Sequence, residues 1–234
     1  RSLRDLGVPI YGAHTVIAAH GARRVSGVEI APMNRDGTLI NGEARVLACD
    51  FLATSGGYNP IVHLHCQSGA KLDFDAETAC FVPGPPNPTT PSLSAGACRG
   101  VFGLNQALTD GAEAASAALQ AIGHGTDSAA AAPVAKFADA HDGDLRIRHL
   151  WLLPSDKSTS KGGKFWVDFQ NDVTAADLEL AVRENFRSVE HIKRYTTLGM
   201  ATDQGKTSNI NALGILSDVL GVTIPEIGTT TFRP

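Results

Sequence analysis

The sequence has 234 residues, of which 43% are hydrophobic and 19% charged, so it can form one large or two small globular domains. Its net charge of −4 gives no basis for nucleic-acid or anionic-membrane partners, and no apolar run approaches the roughly 20 residues that cross a bilayer. The four cysteines lack paired or metal-ligand spacing, which favours reduced thiols in a cytoplasmic protein. Since it has neither an initial methionine nor a signal-peptide pattern, we expect an interior piece of a larger subunit.

Alternating and β-branched apolar residues predict strands near the start of the chain. Residues 8–17 and 24–33 are expected to pair, and residues 34–37 contain the Asp-Gly signal of a tight turn. Residues 44–54 contain the run from Val46 to Ala53, which is apolar apart from Asp50. Such a run predicts a strand that is buried on both faces.

Shorter elements follow from residue 61. The pattern predicts a short helix over 61–68, two short strands at 72–75 and 80–83, and a proline-rich surface loop over 85–91. A strand end of small residues then leads into a long alanine-rich helix over 103–122. The small residues on this helix indicate close packing against a sheet or a cofactor.

The second half of the chain begins with a segment that is poor in large apolar residues, 126–144, and this segment predicts a domain boundary. After it, Thr174 and Asp177 form an acidic variant of the capping box at the start of a helix over 175–184. Two more helices are expected at 188–196 and 208–220.

Two segments carry a first family resemblance. ATSGGYNP (53–60) and SAGACRGVFGLNQALTDGAEAA (94–115) resemble elements in the second half of the pyridine-nucleotide–disulfide oxidoreductase fold. A helix N-terminus offers N–H groups and a positive dipole end to a dinucleotide, and glycines let the backbone approach it. From position on that fold we expect NAD contacts at Ala97, Phe102 and Leu104, with Gly96 and Gly100 allowing the approach.

Three motifs carry a second, more specific resemblance. VDFQNDVT (167–174), FRSVEHIKRYT (186–196, preceded by Asn185 where the pattern has glycine) and GMATDQGKTSN (199–209) resemble the alpha subunit of heterotetrameric sarcosine oxidase. The resemblance implies beta, gamma and delta subunits as partners, FAD and sarcosine oxidation in the beta subunit, and FMN at the alpha/beta interface. It also implies a GxGxxG motif upstream of this chain and a tetrahydrofolate-binding domain downstream.

The predicted fold class is therefore α/β: the second half of a two-dinucleotide-binding module, then a small all-α domain. The boundaries are 1–125 for the dinucleotide module, 126–163 for a linker and 164–221 for the helical domain. Residues 222–234 would begin the connection to the folate-binding domain. The helical domain also resembles one that holds a [2Fe-2S] cluster in related dehydrogenases, but no cysteine follows Cys98, so a cluster there is excluded.

A phosphate site is one interpretation of residues 194–208. Lys206 and Thr207 lie just before a predicted helix, and a cation, hydroxyl donors and a helix N-terminus are what a phosphate needs. The alternative is that Ser208 merely caps the helix while Lys206 is solvated. Following the resemblance, we hypothesise that Arg194, Lys206 and Thr207 face the FMN phosphate at the subunit interface.

The remaining titratable residues indicate no catalytic site. His63 and His65 alternate as metal ligands on a strand do, but no third ligand is near, so surface histidines are expected. The leading hypothesis is a non-catalytic part of a sarcosine oxidase alpha subunit that binds NAD. The alternatives are a subunit of a related amine or proline dehydrogenase, and an assembly module that binds no ligand.

Overall fold

A computed structural model describes residues 3–39, 42–56, 58–124, 136–137, 148–155, 158–161 and 163–230. The chain divides into two compact units. The first contains residues 1–56 and 152–162, and the second contains residues 57–151 and 163–234. Among the described residues, no helix combines the length and apolarity that a membrane crossing requires.

The first unit contains a three-stranded antiparallel sheet in the order β1 (His14–His20), β2 (Gly27–Pro32) and β3 (Arg45–Ala48). The predicted pairing of the first two strands is confirmed. The central strand β2 supplies the buried side chains Val28, Ile30 and Ala31. Apolar residues on a middle strand bury most easily, because the neighbouring strands shield them.

The expectation of a strand buried on both faces at 44–54 is wrong. Strand β3 covers four residues at the outer position of the sheet that the described residues form. Val46 is 64% exposed and Phe51, beyond the strand, is 77% exposed. The apolar run marked strand propensity, but burial depends on layers that pack against the strand, and a single sequence segment does not encode them.

The second unit begins with helix α1 (His63–Gln67) and the hairpin of β4 (Leu72–Asp75) and β5 (Cys80–Pro83). A 3₁₀ turn (Gly96–Arg99) then leads to helix α2 (Leu104–Ala121). The predicted helix at 61–68 and both predicted strands are confirmed.

The helical part opens with a second hairpin, β6 (Trp166–Asp168) and β7 (Val173–Thr174), and continues with four helices. These are α3 (Ala175–Arg183), α4 (Val189–Thr196), α5 (Asn209–Leu220) and α6 (Ile224–Ile227). The predicted capping box is confirmed: the Thr174 hydroxyl accepts from the Asp177 N–H, and the Asp177 carboxylate accepts from the Thr174 N–H at 2.8 Å.

One hydrophobic core joins the helical part to the β4–β5 hairpin. Val189, Leu213 and Ile224 are buried together, and Phe74 and Phe81 of the hairpin pack against them with their rings 5.2 Å apart. This contact places the hairpin in the same compact unit as the helices. Most of the predicted linker, 126–163, lies outside the described residues, so the predicted domain boundaries stay a prediction.

Candidate cofactor sites

The predicted dinucleotide-binding segment folds into a tight turn that two glycines make possible. Gly96 has φ +68° and Gly100 has φ +87°, in the left-handed region that disfavours any side chain. A Cβ atom at Gly100 would also lie 3.3 Å from Cγ1 of Val82. The Val101 N–H donates to the Gly96 carbonyl at 3.1 Å and closes the turn.

Helix α2 begins directly after this turn without a side-chain cap. Its N-cap is Gly103, which has no side chain to cap the first turn. The helix has 18 residues, so its dipole places a positive end at this point. Leu104 is exposed beside it. The helix therefore starts with an exposed leucine, and the side chain of Asn105 in its first turn bonds the backbone of Phe137.

Two motifs that are far apart in sequence meet at this turn. The ring of the half-buried Phe102 stacks on the ring of Tyr58, with centroids 5.3 Å apart and planes at 27°. Tyr58 belongs to the ATSGGYNP segment and is 71% exposed. The structure therefore gathers Gly96, Gly100, Phe102 and Leu104 around one turn and adds an exposed aromatic ring.

Asp110 is a residue of this site that sequence reasoning missed. The residue is 8% exposed, and its carboxylate accepts the Gly96 N–H at 2.7 Å and forms an ion pair with Arg99. The carboxylate thus bonds both ends of the 3₁₀ turn from the middle of α2. An acidic residue among the small residues of an alanine-rich helix was the available clue.

An open cleft of ≈ 310 Å³ lies beside the turn, with His65, Ser92, Ser94 and Arg99 among its lining residues. His65 is 4% exposed, and its Nε2 lies 3.0 Å from the Lys71 carbonyl. Its Nδ1 is buried without a hydrogen-bond partner.

The expectation that His63 and His65 are surface histidines is wrong. Both are buried, and they lie on helix α1 rather than on a strand. Burial first, and then the positive charge of Lys206, lower the pKa of His63. Within the described part of the chain, no three His, Cys, Asp or Glu side chains form a group that could hold a metal ion.

Two of the three residues predicted to hold a phosphate, Arg194 and Thr207, are bonded to carboxylates. Arg194 donates to the Glu190 carboxylate at 2.8 Å on its own helix. Thr207 donates its hydroxyl to Asp203 at 2.5 Å. Burial opposes the charge of Asp203, but the hydrogen bonds from Thr207 and Gly205 outweigh it and lower the pKa of this carboxyl. The site therefore holds a carboxylate as well as the cation of Lys206.

A buried polar group without a hydrogen-bond partner also lies at the start of α5, as at Nδ1 of His65. The side-chain oxygen of Ser208 is buried and has no hydrogen-bond partner, so the predicted capping role of Ser208 is not realised. Asn209 donates from its side-chain amide to the Thr230 hydroxyl at 3.1 Å.

The two most specific sequence motifs form one structure through a buried carboxylate. Asp168 of VDFQNDVT is almost fully buried and accepts the Gly199 N–H of GMATDQGKTSN at 2.8 Å. Asn171 donates to the Thr197 carbonyl at 2.8 Å, beside that bond. These long-range bonds fix the loop that leads to Lys206.

Comparison with known proteins finds relatives that are similar to this chain. The sarcosine oxidase A3 domain family matches residues 162–234. The alpha subunit of sarcosine oxidase from Rhizobium meliloti (strain 1021) is 38% identical over 219 residues, which cover 94% of this chain. The corresponding subunit of Corynebacterium sp. (strain P-1) is 40% identical over 219 residues, or 92% of the chain. The chain is similar to part of the alpha subunit of sarcosine oxidase.

The sarcosine oxidase resemblance covers only part of each relative. The chain spans 20% of the length of the Rhizobium subunit and 22% of the Corynebacterium one. Among solved structures, the crystal structure of L-proline dehydrogenase from P. horikoshii is similar with a TM-score of 0.63. That similarity covers 99% of this chain and 44% of the other at 17% identity, so it concerns the fold alone, a mixed α/β fold.

Proposed function

We propose that this chain is part of the alpha subunit of a multi-subunit sarcosine oxidase. The observation that supports this most strongly is 38–40% identity to such subunits over more than nine tenths of the chain. The complete enzyme would demethylate sarcosine with oxygen to glycine and peroxide, and pass the one-carbon unit to tetrahydrofolate in a downstream domain. FAD in the beta subunit would accept the hydride, since the cofactor supplies this chemistry.

This chain would contribute cofactor binding rather than a catalytic acid or base. The residues around the 3₁₀ turn fit a dinucleotide such as NAD. Gly96 and Gly100 leave the backbone bare, and the helix that begins at Gly103 has no side-chain cap, which suits a pyrophosphate. The Tyr58–Phe102 stack offers an apolar face beside it.

The substitution Phe102→Asp tests the NAD proposal. A carboxylate at this position would repel the pyrophosphate and remove the stacked ring, so NAD per assembled enzyme should fall about tenfold or more, as a loss of ~1.4 kcal/mol implies. NAD is measured after the complete enzyme is denatured. The control is Phe169→Asp, which alters an exposed ring of the β6–β7 hairpin. Unchanged NAD in Phe102→Asp contradicts the proposal.

We further propose that Lys206 faces FMN at an interface with the beta subunit. The fit of the three predicted residues is partial, because Arg194 and Thr207 are bonded to carboxylates. The proposal therefore rests on the Lys206 cation, near the N-terminus of a 12-residue helix.

The double substitution Lys206→Ala/Thr207→Ala tests the FMN proposal. FMN content of the assembled enzyme should fall severalfold, whereas Lys161→Ala, which removes an equal charge from an exposed position, should leave it unchanged. Full FMN occupancy in the double variant would contradict the proposal that Lys206 faces FMN.

The alternative proposal is a subunit of a related amine or proline dehydrogenase. The fold similarity to L-proline dehydrogenase is compatible with it. The substrates distinguish the two. An assembled enzyme that oxidises proline but not sarcosine supports the alternative. If denaturation releases no dinucleotide, the chain is a non-catalytic assembly module.

A further inference from the structure

We propose that Asp110 is a positioning residue for the dinucleotide, acting through the Gly96 turn. This inference rests on the proposed binding of NAD at that turn. Asp110 is the one buried residue of α2, all of which lies within the described chain. Its burial is otherwise unfavourable, because a carboxylate loses its hydration on leaving water. Both of its oxygens are bonded to the turn.

The two bonds of Asp110 act on different parts of the turn. One oxygen accepts the N–H of Gly96, whose φ of +68° sets the direction in which the backbone enters the 3₁₀ turn. The other oxygen pairs with the half-exposed side chain of Arg99 at the end of the turn. Hydrogen bonds to a charged, buried acceptor are stronger than neutral ones.

The position of Asp110 on α2 explains why it controls binding. It lies six residues after Leu104, about 1.7 turns into the helix whose N-terminus would receive the pyrophosphate. The carboxylate therefore ties the glycine turn to the body of that helix. Without the tie, Gly96 regains the wide conformational freedom of glycine, and NAD has to order the turn as it binds.

The test compares variants of the complete alpha subunit, assembled with its partner subunits. The measured quantity is the rate at which NAD is lost on dialysis. Asp110→Ala removes the acceptor and should lose NAD about tenfold faster, as expected for a lost hydrogen bond to a charged group. Asp110→Asn keeps an oxygen that can accept the Gly96 N–H, so its rate should stay within about threefold of wild type.

The rescue by Asn separates positioning from general destabilisation. A purely structural role would lower the thermal midpoint of Asp110→Ala but leave the rate of NAD loss well below that midpoint unchanged. The matched control is Ser116→Ala on the same helix, whose hydroxyl bonds the Ala112 carbonyl. This control should lose NAD at the wild-type rate.

A second variant covers the case in which Asp110→Ala does not assemble. Gly96→Ala keeps Asp110, and its Cβ has room at 3.8 Å from the nearest atom, but it strains the positive φ. It should lose NAD as fast as Asp110→Ala is expected to. Wild-type rates in either variant, or loss in Asp110→Asn as fast as in Asp110→Ala, overturn the inference.

The variant Phe102→Asp separates a failure of the Asp110 inference from a failure of the proposed NAD binding at the turn. If Phe102→Asp retains NAD, or if the wild-type enzyme releases no dinucleotide, binding at the turn fails and the inference fails with it. If Phe102→Asp loses NAD while Asp110→Ala keeps it at the wild-type rate, only the role of Asp110 fails.

Discussion

Helices α2 and α5 are both rich in small and apolar residues, yet they are packed in different ways. Helix α5 has 12 residues, and six of them are buried: Asn209, Ala212, Leu213, Gly214, Ile215 and Leu216. Helix α2 has 18 residues, all described, and buries Asp110 alone. Leu104 and Leu108 on α2 are exposed.

This difference in burial indicates that a hydrophobic core stabilises α5 within this chain, whereas a polar contact attaches α2. α5 packs against α3, α6 and Trp151. α2 is joined to its turn by the bonds of Asp110. Loss of a side chain should therefore have unequal effects on stability in the two helices.

The largest expected effect is that of Leu216→Ala. Leu216 is fully buried, so its truncation should lower the free energy of unfolding by roughly 2–5 kcal/mol. The matched change Leu108→Ala, on exposed α2, should cost less than about 1 kcal/mol. Urea unfolding of the 234-residue chain measures both, followed by the fluorescence of its two tryptophans. Equal losses would contradict the comparison.

A glycine pair sharpens the comparison. A Cβ atom at Gly214 of α5 would lie 2.1 Å from Cδ2 of Trp151, so Gly214→Ala should cost about 1–3 kcal/mol despite the better helix propensity of alanine. No atom lies within 4 Å of a Cβ at Gly111 of α2, so Gly111→Ala should gain up to ~1 kcal/mol. The same unfolding experiment applies, and stabilisation by both substitutions would show that Trp151 does not pack on α5.

The smallest expected effect is a pH dependence of the free energy of unfolding. It arises from His63 in α1 and Lys206 in the loop before α5. The pKa of His63 is lowered, so the folded state favours the neutral ring, and the unfolded state binds the proton first as pH falls. Stability should therefore decrease as pH drops below the ordinary histidine value of about 6.5. His63→Gln should remove part of this decrease.

The measurement for His63 is the difference in unfolding free energy between pH 7.5 and 5.5, in wild type and in His63→Gln. The matched control is His14→Gln, at an exposed histidine in β1. If both variants keep the wild-type pH dependence, protonation of His63 is not linked to folding.

Short-range sequence patterns predicted the elements of the helical part well. The capping box of Thr174 and Asp177 spans four residues, and the helix expected at 208–220 is α5, which ends at Leu220. The strands β4 and β5 were predicted from two four-residue runs, and the structure pairs them. Such features depend on neighbours along the chain, so local propensity and hydrogen bonding suffice to specify them.

The sequence by itself therefore determined the resemblance to the alpha subunit of sarcosine oxidase, most local elements and the glycine-rich turn. Only the tertiary structure decided which residues are buried: His63, His65 and Asp110 lie inside, whereas β3 is exposed. It also decided that Asp168 bonds Gly199, 31 residues away, and that Asp110 bonds Gly96, 14 residues away. The physical reason is that burial and charge pairing depend on contacts between distant segments, which the periodicity of one segment does not contain.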